Sequence, residues 1–171
     1  PSSGDELGVA TVDLTTGLYA AVAILAALRE RDRSGLGQRI DLSLMDSAIS
    51  WLANVGSNYL VSGEVCGRYG NAHANIVPYQ VFLAKDRHIA VGIGNDGQWR
   101  KFCEIADALG LASDGRFATN PDRVKNRGEL IPLLEKIFLR RDSSFWIENL
   151  WREGIPAGPI NTVDKVFADP N

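Results

Sequence analysis

Apolar positions from Leu14 to Arg31 recur at helical spacing through Leu14, Leu18, Leu25 and Leu28, which predicts a helix with Asp13 at its N-cap and Ser34-Gly35-Leu36-Gly37 as its end. Arg39 to Leu44 alternates polar with apolar residues, as a half-exposed strand does. Met45 to Ser62 returns to helical spacing, with Asp46 and Ser47 in its first turn. From Gly63 to Val77 the periodicity disappears and glycines, Arg68, Gly70, Asn71, His73 and Asn75 collect, so a long loop is expected.

Beyond Pro78 the runs Tyr79–Leu83 and His88–Ile93, separated by a turn near Asp86, predict a pair of strands. Asn95-Asp96-Gly97 caps a helix reaching Leu109, where Gly110 is expected to stop it. Asn120-Pro121 opens another that runs to Arg140, with Pro132 expected to kink or divide it. Asp142-Ser143-Ser144 begins a further amphipathic helix that ends at Gly154, and Ile155-Pro156-Ala157-Gly158-Pro159 reads as a rigid connection. The pattern predicts an α/β piece over 1–62, a linking loop over 63–77 and a smaller α+β unit over 78–171.

Composition narrows the class. A formal charge of −3 and a pI near 5.4 provide no basic field for nucleic acid or an acidic membrane surface. The longest apolar run is broken by polar residues well before bilayer length, so no membrane partner is expected. Cys66 and Cys103 are too far apart for a Cys-x-x-Cys metal site and suit a reducing, cytoplasmic compartment. Pro1 at the start, and Asp169-Pro170-Asn171 without a terminal helix, read as the ends of a fragment or of a partly ordered chain.

Chemistry concentrates at Asp13 and in the 63–77 loop. At a helix start, a carboxylate is either an N-cap or a nucleophile kept ionised by the helix dipole, and spacing alone leaves both open. His73 and Asn75 each offer a hydrogen-bond donor to a substrate carboxylate or thioester, or are satisfied by the loop's own backbone. His88 reads as a surface residue, Asp41 and Asp46 as a solvated strand side chain and a helix cap, and Arg123, Lys125, Arg127, Arg140 and Arg141 as a solvated charged face. The glycines at 92, 94 and 97 lack the βαβ context of a dinucleotide fingerprint.

Asp13-Leu14-Thr15-Thr16-Gly17-Leu18-Tyr19, the Ala/Leu-rich stretch after it and Ser34-Gly35-Leu36-Gly37-Gln38 together resemble the catalytic aspartate helix of family III CoA-transferases (the CaiB/BaiF family). Arg68-Tyr69-Gly70-Asn71-Ala72-His73 followed by Pro78-Tyr79-Gln80-Val81-Phe82 is similar to the family's entry into its small domain. Gly154-Ile155-Pro156-Ala157-Gly158-Pro159 is similar to a later Gly-Ile-Pro-x-Gly-Pro.

The resemblance implies a doubly wound large-domain piece joined to a small α+β domain. It also implies coenzyme A, brought as acyl-CoA, a carboxylic acid acceptor, no metal and an interlaced homodimer. Asp13 would form an acyl anhydride and then an aspartyl-CoA thioester; Arg68, Gly70, Asn71, His73 and Asn75 would line the substrate. His73-Ala74-Asn75-Ile76 stands where the formyl-CoA transferase branch has a glycine lid, which argues against formyl transfer to oxalate. Two rivals remain on the residues alone. One is a 2-methylacyl-CoA racemase, against which Ala74-Asn75-Ile76-Val77-Pro78 speaks. The other is a noncatalytic interaction domain using Trp99, Trp146 and Trp151.

Overall fold

The computed structural model describes residues 8–170. The chain divides into two compact units, residues 1–66 and 67–171.

The first unit is helical among its described residues. α1 (Thr11–Ser34) ends at Gly35, whose left-handed φ of 73° lets its N–H return to Arg31 O at 2.8 Å. α2 (Leu44–Ser50) packs on α1 and is capped by Ser43, whose Oγ accepts from Asp46 N at 3.0 Å. α3 (Ala53–Ser62) ends at Gly63.

Three expectations change here. The helix begins at Thr11, with Ala10 as N-cap and no capping side chain, so Asp13 lies inside the first turn. Residues 39–44 form no strand, because among the described residues this unit holds no strand to pair with; Arg39 and Asp41 pair with each other at 2.9 Å instead. The second helix is two, broken where Trp51 and Leu52 make tighter i→i−3 bonds and Ala53 takes a φ of 33°.

α1 buries none of its residues within the described structure, and Leu14, Leu18, Val22 and Leu25 form a stripe exposed by 62–68%. By length and composition α1 is also apolar enough to cross a bilayer, contrary to the expectation from the apolar run. Leu14 to Leu28 contains no charged residue, and its interruptions by Thr15, Thr16, Gly17 and Tyr19 are ones a bilayer-length stretch tolerates.

The second unit is built on an antiparallel sheet in the order β1 (Tyr79–Leu83), β2 (His88–Gly92), β3 (Ala157–Pro159). The stretch expected to be a mere connection supplies β3, which pairs Ala157 with Val91 and Pro159 with Ile89. Prolines are compatible with β3 because it is an edge strand.

Helices α4 (Asp96–Ile105), α5 (Leu109–Ser113), α6 (Asn120–Lys125), α7 (Arg127–Phe138), α8 (Ser143–Arg152) and α9 (Val163–Phe167) complete the unit. Gly110 lies inside α5; the preceding helix stops earlier, and Asp107 beyond it has a φ of 50°. The 120–140 helix divides at Asn126, not at Pro132. Asn126 Nδ2 donates to Asp122 O at 2.9 Å, the carbonyl that its own N–H also uses, and this side-chain competition favours a break. Pro132 is carried within α7, which the buried Leu130, Leu134, Ile137 and Phe138 hold in place.

The core joins Phe82, Phe102, Phe138 and Trp146, with ring centroids 4.4 Å apart for Phe82–Phe138 and 4.8 Å for Phe138–Trp146. Trp99 and Trp146 are buried, so they cannot form a partner surface; Trp151 alone of that trio is exposed. At the start of α8, Asp86 accepts from Ser143 N and Oγ at 2.7 Å each, which holds its carboxyl below the usual range. Burial pushes the Cys103 thiol up to about 12. Cys103 is therefore expected to resist iodoacetamide at pH 8 in the native protein and to react after denaturation, as read by mass spectrometry; rapid native labelling would mean that this core opens readily.

Candidate active site

In the first unit the chemistry rests on Asp13. Its side chain is exposed in the first turn of α1. Thr11 N donates to Val9 O and Leu14 N to Ala10 O, so among the described residues the Val12 and Asp13 amides are the open donors at this positive helix end. Thr15 and Thr16 do not compete for a ligand, because their hydroxyls donate back to Thr11 O and Val12 O at 2.9 and 2.7 Å.

In the second unit the residues expected to bind substrate lie in one short stretch. Gly70 takes a φ of 60°, a turn conformation that a side chain would strain, and Ala72 N closes the turn on Tyr69 O. Asn71 Oδ1 accepts from Val81 N at 2.9 Å and so caps the open edge of β1. Arg68 is exposed.

His73 is bound into the loop. Its Nδ1 accepts from Asn75 N at 3.0 Å and Ile76 N at 3.1 Å, which leaves Nε2 to carry the proton in the neutral ring. The ring stacks on Tyr79 at 5.5 Å, and His73 N donates to Tyr79 O. Tyr79 is fixed in turn over Gly92, where a Cβ would lie 3.2 Å from its ring.

Three residues that hold this loop were not singled out for that task from sequence. Asn120 Oδ1 accepts from Val77 N, and its Nδ2 donates to Asn75 O at 2.8 Å. Arg123, expected on a solvated face, is wholly buried. It donates to Val77 O at 2.6 Å, Phe117 O at 3.1 Å and Asp96 Oδ1 at 2.9 Å, with its guanidinium 5.1 Å from the centroid of the Trp99 ring. Burial lowers its pKa, a change that the hydrogen bond and charge of Asp96 oppose. Arg127 donates to Ala74 O and His73 O. Lys125, Arg140 and Arg141 are exposed, as is His88. The only sequence signal for the three was their spacing of three and four residues.

A model of the family described as "CoA-transferase family III" matches residues 3–171. The chain belongs to this family. Within it, this family III chain is 42% identical to human succinyl-CoA:glutarate CoA-transferase over 99% of its own length and 39% of the relative's. It is also 42% identical to succinate--glutarate CoA-transferase of Agrobacterium fabrum, over 96% of this chain and 41% of that one. The crystal structure of a CaiB/BaiF family protein from Brucella suis matches with a TM-score of 0.70 and 46% identity, covering 97% of this chain and 44% of the other. The chain thus spans about two-fifths of the length of the relatives it matches.

Proposed function

We propose that the protein containing this chain transfers CoA from an acyl-CoA to a free carboxylate, with Asp13 as the covalent carrier. The observation that carries this reading is a family match over nearly the whole chain that coincides with an exposed carboxylate in the first turn of a 24-residue helix.

In this reading an Asp13 oxygen attacks the thioester carbonyl, the C–S bond breaks, and CoA leaves as a thiolate from an aspartyl acyl anhydride. The thiolate attacks the aspartyl carbonyl, releasing the donor acid and leaving Asp13 as a CoA thioester. An acceptor carboxylate attacks that thioester, forming a new anhydride and freeing the thiolate. Attack of the thiolate on the acceptor's acyl carbon then yields the new acyl-CoA and restores the Asp13 carboxylate. Each intermediate keeps the activation of the thioester, provided water is excluded. The Val12 and Asp13 amides, open among the described residues, suit the oxygen charge that builds up on attack.

The names of the relatives support four- and five-carbon dicarboxylates as the substrate class. The uncovered stripe on α1 supports an assembly in which protein covers it, and the interlaced homodimer implied by the family resemblance supplies that cover without a membrane. Two unpaired cysteines support a cytoplasmic setting.

The test uses the full-length protein with succinyl-CoA and glutarate. Glutaryl-CoA should form, and hydroxylamine added with succinyl-CoA alone should leave a hydroxamate on Asp13. Solvent deuterium entering the 2-position of a 2-methylacyl-CoA, with no adduct and no glutaryl-CoA, would replace transfer by racemisation.

A further inference from the structure

Between α7 and α8 the chain turns a corner that carries Arg140 and Arg141. The corner is pinned at three points. Trp146 Nε1 donates to Phe138 O at 2.9 Å, Lys85 N donates to Arg141 O at 3.0 Å, and Asp86 holds Ser143 at the head of α8. The backbone under the two arginines is therefore fixed before any ligand arrives.

Their charges are not spent in the same way. Both side chains are exposed, and among the described residues neither guanidinium meets a carboxylate, whereas Arg116 and Arg123 of the same unit each hold one. Arg141 lies 5.2 Å from the centroid of the Phe145 ring. Both arginines border a cavity of about 310 Å³ whose other walls are Ile105, Ala106, Asp107, Phe145 and Trp146. A second cavity, of about 340 Å³, shares Asp107 and Arg140 and adds Lys136. Cations at the end of α7 suit its dipole, but the dipole does not account for a cavity walled by aromatic rings.

The lining selects a ligand class. Each guanidinium fork pairs with a carboxylate or a phosphate, and a phosphate monoester, with a charge of about −1.5 to −2 and three acceptor oxygens, neutralises two forks at one atom centre. The cavity stands at the small end of ligand sites, about 300–1,000 Å³, so a body beyond the phosphate is accommodated. Phe145 and Trp146 offer that body an apolar wall, and Asp107 accepts from a hydroxyl.

We propose that the second unit carries a binding site for a small organic phosphate, with the phosphomonoester held by Arg140 and Arg141 and a sugar or ring seated against Phe145 and Trp146. The site uses residues 105–146 alone and no step of CoA transfer, so it stands or falls apart from the transferase reading.

The test modifies arginines of the full-length protein with phenylglyoxal and reads each site by mass spectrometry, with exposed Arg100 as the internal control. AMP at about 1 mM is expected to slow modification of Arg140 and Arg141 about fivefold or more and to leave Arg100 unchanged. Inorganic phosphate and glutarate at the same concentration are expected to protect less than about twofold. Equal protection by inorganic phosphate would remove the seat for an organic body, equal protection by glutarate would replace the phosphate by a dicarboxylate, and either overturns the proposal as stated. No protection by AMP overturns it, as does failure of the two arginines to react at all, since the cavity would then be closed in the whole protein. Calorimetric titration adds a second reading: Arg140→Gln with Arg141→Gln should weaken AMP binding about tenfold or more, and unchanged affinity would place AMP elsewhere and overturn the proposal. The labelling needs no variant, so it decides the question even if the double substitution does not fold.

Discussion

Asp13→Asn is expected to lower CoA transfer roughly a thousandfold or more while leaving the fold intact, because an amide cannot carry the acyl group as an anhydride and is a far weaker nucleophile than a carboxylate. The structure makes this substitution cleaner than a helix cap would allow. The N-cap is Ala10, and Asp13 sits in the first turn with no capping role, so its removal costs only the charge–dipole attraction, about 0.3–1 kcal/mol. Asp13→Ala should therefore melt close to wild type as well. Initial rates of glutaryl-CoA formation, set beside thermal melts, check both statements. Transfer at the wild-type rate by Asp13→Asn would remove Asp13 from the chemistry.

The second large effect is on stability. Arg123→Met keeps the length of the side chain and removes a buried cation that ties Val77 O, Phe117 O and Asp96 together beneath the Trp99 ring. Those carbonyls would lose their donors in the interior, and Asp96 its partner. Breaking a pair of this kind costs about 3–5 kcal/mol, less to the extent that Asp96, with its side chain 38% exposed, can turn to water. Native-state amide exchange of β1 and β2 should accelerate by more than about a hundredfold. An acceleration below about fivefold would mean that the network is energetically redundant.

Local pattern was legible wherever one residue's neighbours in sequence are also its neighbours in space. The strand pair at 79–92, the cap at Asn95, the glycine stop at Gly35 and the start at Asp142 all follow from turn chemistry and periodicity, which act over a few residues. The resemblance carried by Asp13 to Gln38 named the family for the same reason, since its residues stand in one continuous stretch.

The misreadings have the opposite character. Residues 39–44 have the alternation of a strand, but a strand exists only with a partner, and among the described residues of that unit there is none. β3 hides between two prolines because an edge position beside β2, reached across more than sixty residues of sequence, is what permits them. Arg123 and Arg127 read as a solvated helix face and Asn120 as a helix start, since local pattern reports where a residue stands on its helix and not what lies against it.

The sequence by itself therefore determined the family, the aspartate at the head of its helix and most of the elements, since these depend on short-range pattern. Only the tertiary structure decided that Arg123 is interior and that the 73–77 stretch is clamped rather than loose. Burial and long-range hydrogen bonds exist only once segments some fifty residues apart have met.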